Sequence, residues 1–489
     1  MLSLAESMAT LTEIAESKPV KALAEAFAAA GHECALVGGP VRDALIGRPV
    51  TDLDFATSAR PDETREILET IAQKTWDVGR AFGTIAARVH GEQVEVTTYR
   101  SDVYREDSRK PVVAFGDTIE GDLVRRDFTI NALALMLPEM RLVDVSGGVE
   151  DLIAGTIMTP GSAEQSFSDD PLRMMRAARF SSQLGFAVDK RVTKAMTDMA
   201  DRLDIISAER VRDELVKTLS TDDPVAGLRI LVETGLCDRF LPEFSALREM
   251  QDDHGRHKDV YEHTLTVLEQ AIALEKSRQS SPDGPDVTLR LAAVMHDIGK
   301  PATRRYEQGQ VTFRHHDVVG AKLTKKRLRE LRFDNDTIAQ VAKLVELHLR
   351  FFGYSDQAWS DSAVRRYVRD AGSELERLHI ITRADVTTRN KRKADRLEFA
   401  YDDIERRIDE LAEQEALDAV RPELDGQQIM RLLGIAPGRE VGLAYKFLLD
   451  LRLDEGPIGE EAAAERLVAW WAEQQAGDAQ STETEGEAS

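Results

Sequence analysis

The stretch Val37-Gly-Gly-Pro-Val-Arg-Asp43, followed closely by Asp52-Leu-Asp54, says most about the fold of this 489-residue chain. The apolar residues 35–37 predict the end of a short buried strand, and Gly38-Gly39 predict the turn that leaves it. Because glycine has no Cβ, backbone N–H groups in such a turn can come close to a phosphate group. We therefore expect this end of the chain to mix strands and helices around a phosphate-binding turn.

Charged side chains beside this turn have the types and the spacing of a reaction centre. Arg42 lies one turn further on, where its planar guanidinium can bind a phosphate oxygen. Asp52 and Asp54 are two residues apart on a second predicted strand, so both carboxylates leave the same face. Glu95 stands among β-forming residues in Gln93-Val-Glu-Val-Thr-Thr-Tyr-Arg100, where a glutamate is disfavoured unless it has a role. Each element alone also occurs by chance. Their order and spacing favour a two-metal phosphoryl or nucleotidyl transfer from a nucleoside triphosphate.

Composition predicts a core-forming protein of about three domains, at roughly 150 residues each. Hydrophobic residues make up 42% and charged residues 31% of the sequence. No apolar run approaches the roughly 20 residues that span a bilayer. The first twenty residues lack the basic and apolar regions of a signal peptide. Cys34 and Cys237 form no metal or redox motif and are expected to be reduced core residues. We therefore expect a cytoplasmic protein without membrane contact.

The net charge of −23 argues against a general polyanion-binding protein, yet the basic residues are unevenly distributed. Two dense clusters are Lys322-Leu-Thr-Lys-Lys-Arg-Leu-Arg329 and Arg389-Asn-Lys-Arg-Lys393. Such clusters can hold a nucleic acid through its phosphates. Solvated helix faces explain each cluster equally well.

The pattern of apolar residues divides the chain into a mixed part and a helical part. Residues 30 to about 155 alternate short β-rich and helical segments, whereas the sequence from about 160 onward is almost wholly helical. Residues 276–285 predict a loop inside one domain, and the polar, acidic residues 477–489 predict a disordered tail. Helices are predicted over residues 171–185, 189–202, 208–220, 224–234, 260–277, 288–297, 317–331, 335–350, 361–386 and 396–413, with a small helical unit over 424–475.

Two further motifs add arginines and aspartates to the site. Asp122-Leu-Val-Arg-Arg-Asp-Phe-Thr-Ile-Asn-Ala132 places two arginines and an aspartate just before a buried β-like run. In Asp169-Asp-Pro-Leu-Arg-Met-Met-Arg-Ala-Ala-Arg-Phe180, an aspartate and three arginines recur every third residue along a predicted helix. Asp170 is predicted at the N-cap of that helix and Pro171 at its first position. Pairing with surface acids is the other explanation of such an arginine stripe.

In this order, the motifs resemble those of the class II tRNA nucleotidyltransferases, which add CCA to tRNA 3′ ends, and of the related bacterial poly(A) polymerases. The resemblance covers residues 35 to about 220. It implies a polymerase-β-like nucleotidyltransferase head in which Asp52, Asp54 and Glu95 carry the catalytic Mg²⁺ ions. It also implies a set of nucleotide-binding residues from the three motifs. These are Gly38, Gly39, Arg42, Arg125, Arg126, Asp127, Asp170, Arg173, Arg176 and Arg179.

The helix motif of this family, usually Glu-Asp-x-x-Arg, serves as a protein template for the incoming base. Here Asp169 replaces the glutamate, while the template pair Asp170 and Arg173 is intact. A fixed aspartate can accept from the amino group of cytosine or adenine while a fixed arginine donates to the ring nitrogen. Uracil and guanine present the reverse pattern and would leave a buried charge facing a group of like polarity. The flexible loop of the family corresponds to residues 101–111 and favours complete CCA addition, although a merely charged loop is an equal explanation.

Histidines in the helical part give a second, independent signal. Six of the ten histidines fall between residues 257 and 348. His263 on a predicted helix, the motif His296-Asp-Ile-Gly-Lys-Pro301 and a downstream Asp385 resemble the His-Asp-Ile-Gly type of HD metal-dependent phosphohydrolases. The resemblance implies His263, His296, Asp297 and Asp385 as ligands of one divalent ion and His316 and His348 as ligands of a second. Mn²⁺, Fe²⁺, Ni²⁺ or Zn²⁺ suits such ligands, and Lys300 is expected to steady the charge of a phosphate ester. A tRNA-binding body with a relic site is the other explanation.

Together these features predict an α+β protein that adds CCA to tRNA from CTP and ATP with release of pyrophosphate. A 2′,3′-cyclic phosphodiesterase or phosphatase activity of the HD domain is left open, and the sequence does not indicate an oligomeric state. One alternative is a poly(A) polymerase, although such relatives tend to carry basic C-terminal extensions and to lack the HD site. Another is an HD phosphohydrolase with a regulatory nucleotide-binding head, which would not require three carboxylates. The predicted regions are an N-terminal helical segment (1–29), the catalytic head (30–158), an all-α neck with the template helix and a tRNA-binding region (159–255), the HD domain (256–400), a helical C-terminal region (401–476) and the acidic tail (477–489).

Overall fold

The computed structural model describes residues 4–79, 83–100, 115–250, 260–278, 284–307, 310–351, 354, 359–388, 390–415 and 421–486. The predicted loop at residues 101–111 therefore lies outside the described residues. The chain divides into two compact units. The first comprises Met1–Ser245 with Glu330–Phe333, and the second comprises Ala246–Arg329 with Asp334–Ser489. Among the described helices, none combines the length and the apolar character that crossing a membrane requires.

A seven-stranded mixed sheet organises the first unit. In space the strand order is β3-β4-β5-β2-β1-β6-β7, with β2 and β5 parallel and the other neighbours antiparallel. Since β1 is paired on both sides, all of its residues are buried, which confirms the strand predicted at residues 35–37. The strands are β1 Cys34–Val37, β2 Leu53–Thr57, β3 Lys74–Gly79, β4 Thr84–Val89, β5 Glu92–Thr98, β6 Leu133–Leu137 and β7 Arg141–Asp144.

Helices cover the sheet and continue beyond it in the first unit. Within this set, α8 packs against α10 and α11, and the short strands β8 (Thr156–Ile157) and β9 (Ala187–Val188) pair in parallel. Turns of 3₁₀ helix occur at Thr129–Asn131 and Ala200–Ile205. The helices are α1 Leu4–Glu16, α2 Lys18–Ala29, α3 Gly39–Leu45, α4 Pro61–Glu69, α5 Ile119–Val124, α6 Gly148–Ala154, α7 Ala163–Asp169, α8 Leu172–Leu184, α9 Lys190–Asp198, α10 Ala208–Leu219, α11 Pro224–Glu233, α12 Cys237–Phe240 and α13 Pro242–Ser245.

The second unit is helical apart from the hairpin of β10 (Arg305–Glu307) and β11 (Gln310–Thr312) in its described residues. Helix α14 packs against α15 and α20, and α15 against α18. Short 3₁₀ turns occur at Ala246–Glu249 and Gly372–Glu374. The helices are α14 Val260–Arg278, α15 Val287–Met295, α16 Lys300–Thr303, α17 His316–Glu330, α18 Asn335–Leu347, α19 Asp361–Ala371, α20 Leu375–Ala384, α21 Lys391–Glu415, α22 Gly426–Leu433, α23 Arg439–Glu455 and α24 Glu460–Gly486.

The α+β class is confirmed, and the structure differs from the prediction at several places. The helix predicted over residues 361–386 is two helices, because Gly372 with a φ of 56° interrupts it. The predicted boundary between residues 400 and 401 falls inside α21. Helix α24 extends to Gly486, past the start of the tail predicted to be disordered, since alanine, glutamine and glutamate favour helix even without apolar anchors. The other domain boundaries stay predictions.

Candidate functional site

A cavity of about 700 Å³ in the first unit is lined by every residue that the sequence predicts for the metal and nucleotide site of the head. Its walls come from the start of α3, from β2 and β5, from the segment between α5 and β6, and from α8. The predicted residues that border it are Gly38, Gly39, Arg42, Asp52, Asp54, Glu95, Arg125, Arg126, Asp127, Asp170, Arg173, Arg176 and Arg179. The structure thus brings the set together, while the role of each residue stays a prediction.

Parallel pairing of β2 and β5 positions the carboxylates. Asp54 is the register partner of Glu95, so both side chains leave the sheet on the same face, and Asp52 lies just before β2. Burial, followed by the charges of Glu95 and Asp52, raises the pKa of Asp54 to about 6, against the opposing charge of Arg126. Carboxylates crowded in this way favour a nearby divalent cation, and an all-oxygen donor set suits Mg²⁺.

The glycine turn has the backbone geometry that its sequence predicts. Gly38 has a φ of 73°, and a Cβ there would lie 3.0 Å from a guanidinium nitrogen of Arg126. Arg42 is buried. Its Nε and Nη2 donate to the Asp43 carboxylate at 2.8 and 2.9 Å, and its Nη1 donates to Asn131 Oδ1 at 2.7 Å. Three of the five N–H donors of Arg42 are therefore engaged within the protein. Only the remaining two N–H groups of Arg42 are available to bind a phosphate in this conformation.

Asp122 holds the two arginines of the Arg-Arg-Asp motif. Its buried carboxylate accepts from Arg125 Nη2 at 2.7 Å and from Arg126 Nη2 at 3.0 Å. It also accepts from the backbone N–H of Arg100 at 3.2 Å. The sequence reasoning missed this positioning residue, although its i, i+3 and i+4 spacing from the arginines is a detectable signal.

Asp127 pairs with an arginine from α8. It accepts from Arg176 Nε at 2.8 Å and from Asn131 Nδ2 at 3.0 Å. Burial alone would raise the pKa of Asp127, but the charge of Arg176 and the hydrogen bond from Asn131 lower it to about 2. Asp127 is therefore ionised near neutral pH and holds Arg176 at the cavity wall.

Helix α10 supplies a buried partner for the last arginine of α8. Arg179 Nε donates to Glu214 at 2.7 Å, and that carboxylate is 3% exposed. The buried ring of Phe180 lies beneath three guanidinium groups, with Arg42, Arg176 and Arg179 at 5.3, 5.5 and 4.2 Å from its centre. The ring orders these arginines through cation–π contact. The sequence does contain a signal for Glu214, because a glutamate is unusual among the apolar residues of a predicted amphipathic helix.

The start of α8 differs by one residue from its prediction. The helix begins at Leu172 with Pro171 at the N-cap, whereas Asp170 follows α7 as its C-cap residue, in an extended conformation. The Asp170 carboxylate still accepts from the backbone N–H of Leu172, at 3.1 Å, so it caps the helix from one position further out. Proline lacks a side-chain acceptor, and the preceding aspartate supplies one.

Both members of the predicted template pair are fixed by neighbours. Asp170 Oδ2 accepts from Arg210 Nη2 of α10 at 2.8 Å. Arg173 donates to Ser166 Oγ at 2.9 Å and to the carbonyl of Arg125 at 2.7 Å. Arg210 borders the cavity and was missed from the sequence, because a solvated position on an amphipathic helix gives no sign of the helix it faces.

The second unit gathers the six predicted HD ligands from the ends and interiors of five helices. They form two groups, and within each group one ligand atom per residue lies within 4.8 Å of the others. The groups are His263, His296 and Asp385, and Asp297, His316 and His348. Among the described residues, the three carboxylates of the head do not form so tight a group.

Asp297 lies between the two ligand groups, and its assignment to one ion stays a prediction. The sequence assigns it to the ion of His263 and His296, whereas the structure groups it with the other pair of histidines. Its Oδ2 is 3.2 Å from His296 Nε2 and 3.7 Å from His263 Nε2, and its Oδ1 is 3.3 Å from His316 Nε2. The carboxylate therefore presents one oxygen to each group, because it lies between them.

The histidine orientations fit metal binding. Nδ1 of His296, His316 and His348 lies 2.8, 2.8 and 2.6 Å from the carbonyl three residues earlier. Since a carbonyl can only accept, each Nδ1 carries the proton and each Nε2 carries a lone pair. These three Nε2 atoms are buried and have no hydrogen-bond partner among the described residues. Buried acceptors that converge without partners fit one or two divalent cations.

Charge and close packing complete the HD centre. Burial lowers the pKa of His348 to about 4. Burial alone would raise the pKa of Asp385, but a hydrogen bond from His263 and the charges of nearby histidines lower it to about 2. Lys300 Nζ, which the sequence places near a phosphate ester, donates to Asp297 Oδ2 at 2.6 Å. A Cβ at Gly299 would lie 2.1 Å from the carbonyl oxygen of His316, which explains the glycine of the motif.

Three family models match parts of the chain. Residues 34–158 match the poly A polymerase head domain, and residues 185–247 match a probable RNA and SrmB-binding site of polymerase A. Residues 260–390 match the HD domain. The head and HD matches imply dependence on divalent metal ions.

Curated relatives match the chain over different lengths. It is 34% identical to an A-adding tRNA nucleotidyltransferase of Deinococcus radiodurans over 91% of this chain and 96% of the relative. It is 30% identical to a CC-adding tRNA nucleotidyltransferase of Thermus thermophilus over 89% and 93%. A CCA-adding enzyme of Lactiplantibacillus plantarum is 40% identical, but the match spans 53% of this chain and only 63% of that enzyme.

A solved structure shares the fold. The Bacillus stearothermophilus CCA-adding enzyme in complex with CTP superposes with a TM-score of 0.68 at 24% identity, covering 94% of this chain and 98% of the other. At that identity the likeness concerns the fold alone. The nearly end-to-end match at 34% identity goes further, because it includes the head, the helical neck and the HD segment together. The chain therefore belongs to the tRNA nucleotidyltransferase family.

Proposed function

We propose that the protein adds the 3′-terminal CCA of tRNA from CTP and ATP without a nucleic-acid template. The observation that carries this proposal is the shared cavity, which holds the carboxylates of β2 and β5 together with the template pair Asp170 and Arg173. A triphosphate site alone supports many transfers. A fixed aspartate and arginine beside it supply a means of choosing a base without a complementary strand.

In the proposed reaction the tRNA 3′-hydroxyl oxygen bonds to the α-phosphorus, and the bond to the β-phosphate breaks to release pyrophosphate. Asp52, Asp54 and Glu95 would hold Mg²⁺, which when bound would supply positive charge near the attacking hydroxyl and the leaving pyrophosphate. The N–H groups of the glycine turn and the guanidinium groups of Arg126 and Arg176 bind the triphosphate oxygens. The hydroxyl proton leaves to solvent.

Partial addition is the first alternative, because the relatives that match over nearly the whole chain are named for adding only A or only CC. Four tRNA substrates, ending before the first C, after one C, after two Cs or after the complete CCA, distinguish these activities. Each is incubated with single nucleotides and with CTP and ATP together, and the products are sized. Completion of the first three, with no extension of the fourth, supports CCA addition.

Other products overturn the proposal. Arrest after two Cs identifies CC addition, extension of only the third substrate identifies A addition, and a long A tail identifies a poly(A) polymerase. No incorporation at all favours a phosphohydrolase with a regulatory head. The cytoplasmic location remains a prediction, in keeping with substrates such as tRNA, CTP and ATP.

We also propose that the second unit is a metal-dependent phosphohydrolase acting on 2′,3′-cyclic phosphates or phosphomonoesters. Support comes from the two ligand groups and from the partnerless Nε2 atoms of His296, His316 and His348. A bound Mn²⁺, Fe²⁺, Ni²⁺ or Zn²⁺ ion would activate the attacking water and polarise the phosphate. The test measures metal content and hydrolysis with each metal, with His296→Ala as the control. If none of these metals supports hydrolysis by the wild type, the relic site remains as the explanation.

A further inference from the structure

Basic side chains are concentrated next to the HD ligands, in a chain whose net charge is −23. Helix α17 begins with the ligand His316 and buries the face that contains it. Its opposite face is exposed and basic, because the cations recur at i, i+3, i+4 and i+7. These residues are Lys322, Lys325, Lys326 and Arg329. Among the described residues, no carboxylate forms an ion pair with Lys322, Lys325 or Arg329.

A second basic segment follows the ligand Asp385. Thr387 Oγ1 lies 2.9 Å from His263 Nδ1, a hydrogen bond that ties the chain after Asp385 to the metal ligands. Helix α21 then begins, with the exposed residues 391–393 all basic. Lys391 comes four positions after Thr387, which limits the distance between their Cα atoms to about 14 Å. Lys322 of the first basic cluster and Lys391 of the second therefore both lie near HD ligands.

An exposed aromatic residue stands on the connection between two parts of the HD centre. The β10–β11 hairpin joins the helix of Lys300 to the start of α17. Tyr306 on this hairpin is 69% exposed, and the Arg304 guanidinium lies 5.8 Å from its ring centre. An exposed tyrosine beside basic groups has the chemistry of a base-stacking platform for single-stranded nucleic acid.

We infer that the HD centre takes the 3′ end of an RNA chain, with the basic face of α17 binding the phosphates upstream of the terminal ester. The inference rests on the proposed phosphohydrolase function of this centre. Along the helix axis, Lys322 lies about 9 Å and Arg329 about 20 Å from His316. A mononucleotide whose single phosphate is held at the ligands has no second phosphate for these cations, whereas an RNA strand offers a phosphate at every nucleotide.

The reaction on such an end needs only water. For a terminal 2′,3′-cyclic phosphate, one P–O bond forms from water, one P–O bond to the ribose breaks, and the leaving ribose oxygen takes a proton. The product is a phosphomonoester at the same RNA end. The basic face does not take part in these steps, so its substitution is expected to affect long substrates and spare short ones.

The test compares the full-length protein with a variant carrying Lys322→Ala, Lys325→Ala and Arg329→Ala. The control removes three exposed lysines of the first unit, outside the segment that matches an RNA-binding site, through Lys18→Ala, Lys21→Ala and Lys74→Ala. The substrates are 2′,3′-cyclic AMP and a twelve-nucleotide RNA ending in a 2′,3′-cyclic phosphate, each with Mn²⁺ and with Ni²⁺. Binding of the same RNA with a 3′-hydroxyl is measured by fluorescence anisotropy over a salt series without CTP or ATP.

For the α17 variant, we expect kcat/KM to fall at least tenfold on the RNA and to stay within twofold on cyclic AMP. Loss of three phosphate contacts should reduce the slope of log affinity against log salt by about 2, at roughly 0.7 per contact. The control variant should match the wild type in both assays. Tyr306→Ala should weaken RNA binding, and Tyr306→Phe should restore it because the stacking surface remains.

Equal kinetics of the α17 variant and the wild type on both substrates would overturn the inference while leaving the phosphohydrolase proposal intact. A wild type that prefers cyclic AMP to the RNA end would overturn it as well. If the wild type hydrolyses neither substrate with either metal, the cyclic phosphodiesterase part of the phosphohydrolase proposal fails and takes this inference with it.

Discussion

Asp170 is held in place by groups from two helices, and this restraint is what a base-selecting carboxylate needs. Its Oδ1 accepts from the N–H of Leu172 and its Oδ2 accepts from Arg210, so the plane of the carboxylate is set before a nucleotide binds. A restrained acceptor discriminates amino from carbonyl groups more sharply than a mobile one, because a mismatched base cannot push it aside.

Replacing Asp170 with alanine should therefore damage base choice more than metal binding. We expect Asp170→Ala to lower the preference for C and A over U and G at least tenfold in single-nucleotide incorporation, while Mg²⁺ dependence is kept. Arg210→Ala should lower the preference less, and Arg210→Lys should restore part of it. Retention of the C and A preference by Asp170→Ala would remove this residue from the template.

The ionised carboxylate of Asp127 makes the stability of the head depend on pH in the acid range. Its pKa in the folded state is about 2, below the ordinary value of 3.8. A lowered folded-state pKa stabilises the protein above the ordinary value, and that stability is lost as the pH falls from about 4 towards 2. The shift corresponds to about 2 kcal/mol.

We expect Asp127→Asn to lose about this free energy of unfolding at neutral pH and to show a flatter decline in acid than the wild type. Urea unfolding between pH 3 and 7 measures both quantities. Parallel curves for the two proteins would show that the ion pair with Arg176 contributes nothing to the acid dependence.

At this scale, the sequence predicts which residues meet in the cavity but not what holds them. The motif residues share recognisable spacings, so the phosphate turn, the carboxylates and the arginines were all found. Glu214 and Arg210 were not, because only the fold shows which residues of the cavity they meet from α10, although the position of Glu214 among apolar residues was a signal. Asp122 was detectable in principle, since it lies on the same turn of helix as the arginines it binds.

Among the secondary-structure elements, the link from α15 to α16 depends on a glycine. A Cβ at Gly299 would lie 2.1 Å from the His316 carbonyl oxygen and 2.7 Å from the N atom of Gly320. Both atoms belong to the backbone of α17, which cannot rotate out of the way. The spacing between the first and second ligand groups is therefore set by backbone contact.

Gly299→Ala should push these segments apart and destabilise the second unit by about 1–3 kcal/mol. We expect it also to reduce the amount of metal bound per chain. Gly442→Ala is the matched control, because no atom lies within 4 Å of its added Cβ in α23, and it should gain up to about 1 kcal/mol. Calorimetry and metal analysis measure the two effects. Wild-type metal content and stability in Gly299→Ala would contradict the packing argument.

Helix positions were predictable because apolar residues recur with helical spacing, and helix ends were less so. The break at Gly372 lies inside a continuous amphipathic pattern, which hides it from a periodicity argument. The start of α8 shifted by one residue because Asp-Pro satisfies a helix N-terminus in more than one way.

For the molecule as a whole, metal removal should act on one unit more than the other. A ligand that binds only the folded state adds about 2.7 kcal/mol at one hundred times its Kd, so metal at the HD ligands should raise the unfolding temperature of the second unit. We expect EDTA to lower that transition and added Mn²⁺ or Ni²⁺ to restore it, measured by calorimetry.

His348→Ala should abolish this metal response. His315→Asn is the matched control, because His315 is exposed with a φ of 62°, a conformation that asparagine tolerates. A metal response that survives in His348→Ala would place the stabilising ion outside the two ligand groups.

Whole-molecule organisation was the hardest feature to predict. Composition and length suggested about three domains, whereas the contacts give two compact units, and α21 crosses a boundary drawn from the sequence. Where one helix continues from one region into the next, as α21 does, no change in composition marks a boundary in the sequence. The motifs predict the family because their residues carry the chemistry, and the nearly end-to-end match at 34% identity shows the membership.

The paired arginines of the cavity have a consequence for turnover. Arg42, Arg126, Arg176 and Arg179 each rest on a carboxylate of the same unit before any nucleotide arrives. The conformational entropy of these long side chains is therefore lost once, during folding, and not again in each round of synthesis. An enzyme that must exchange one nucleotide for another several times on the same RNA end can in this way keep a rigid pocket from one round to the next.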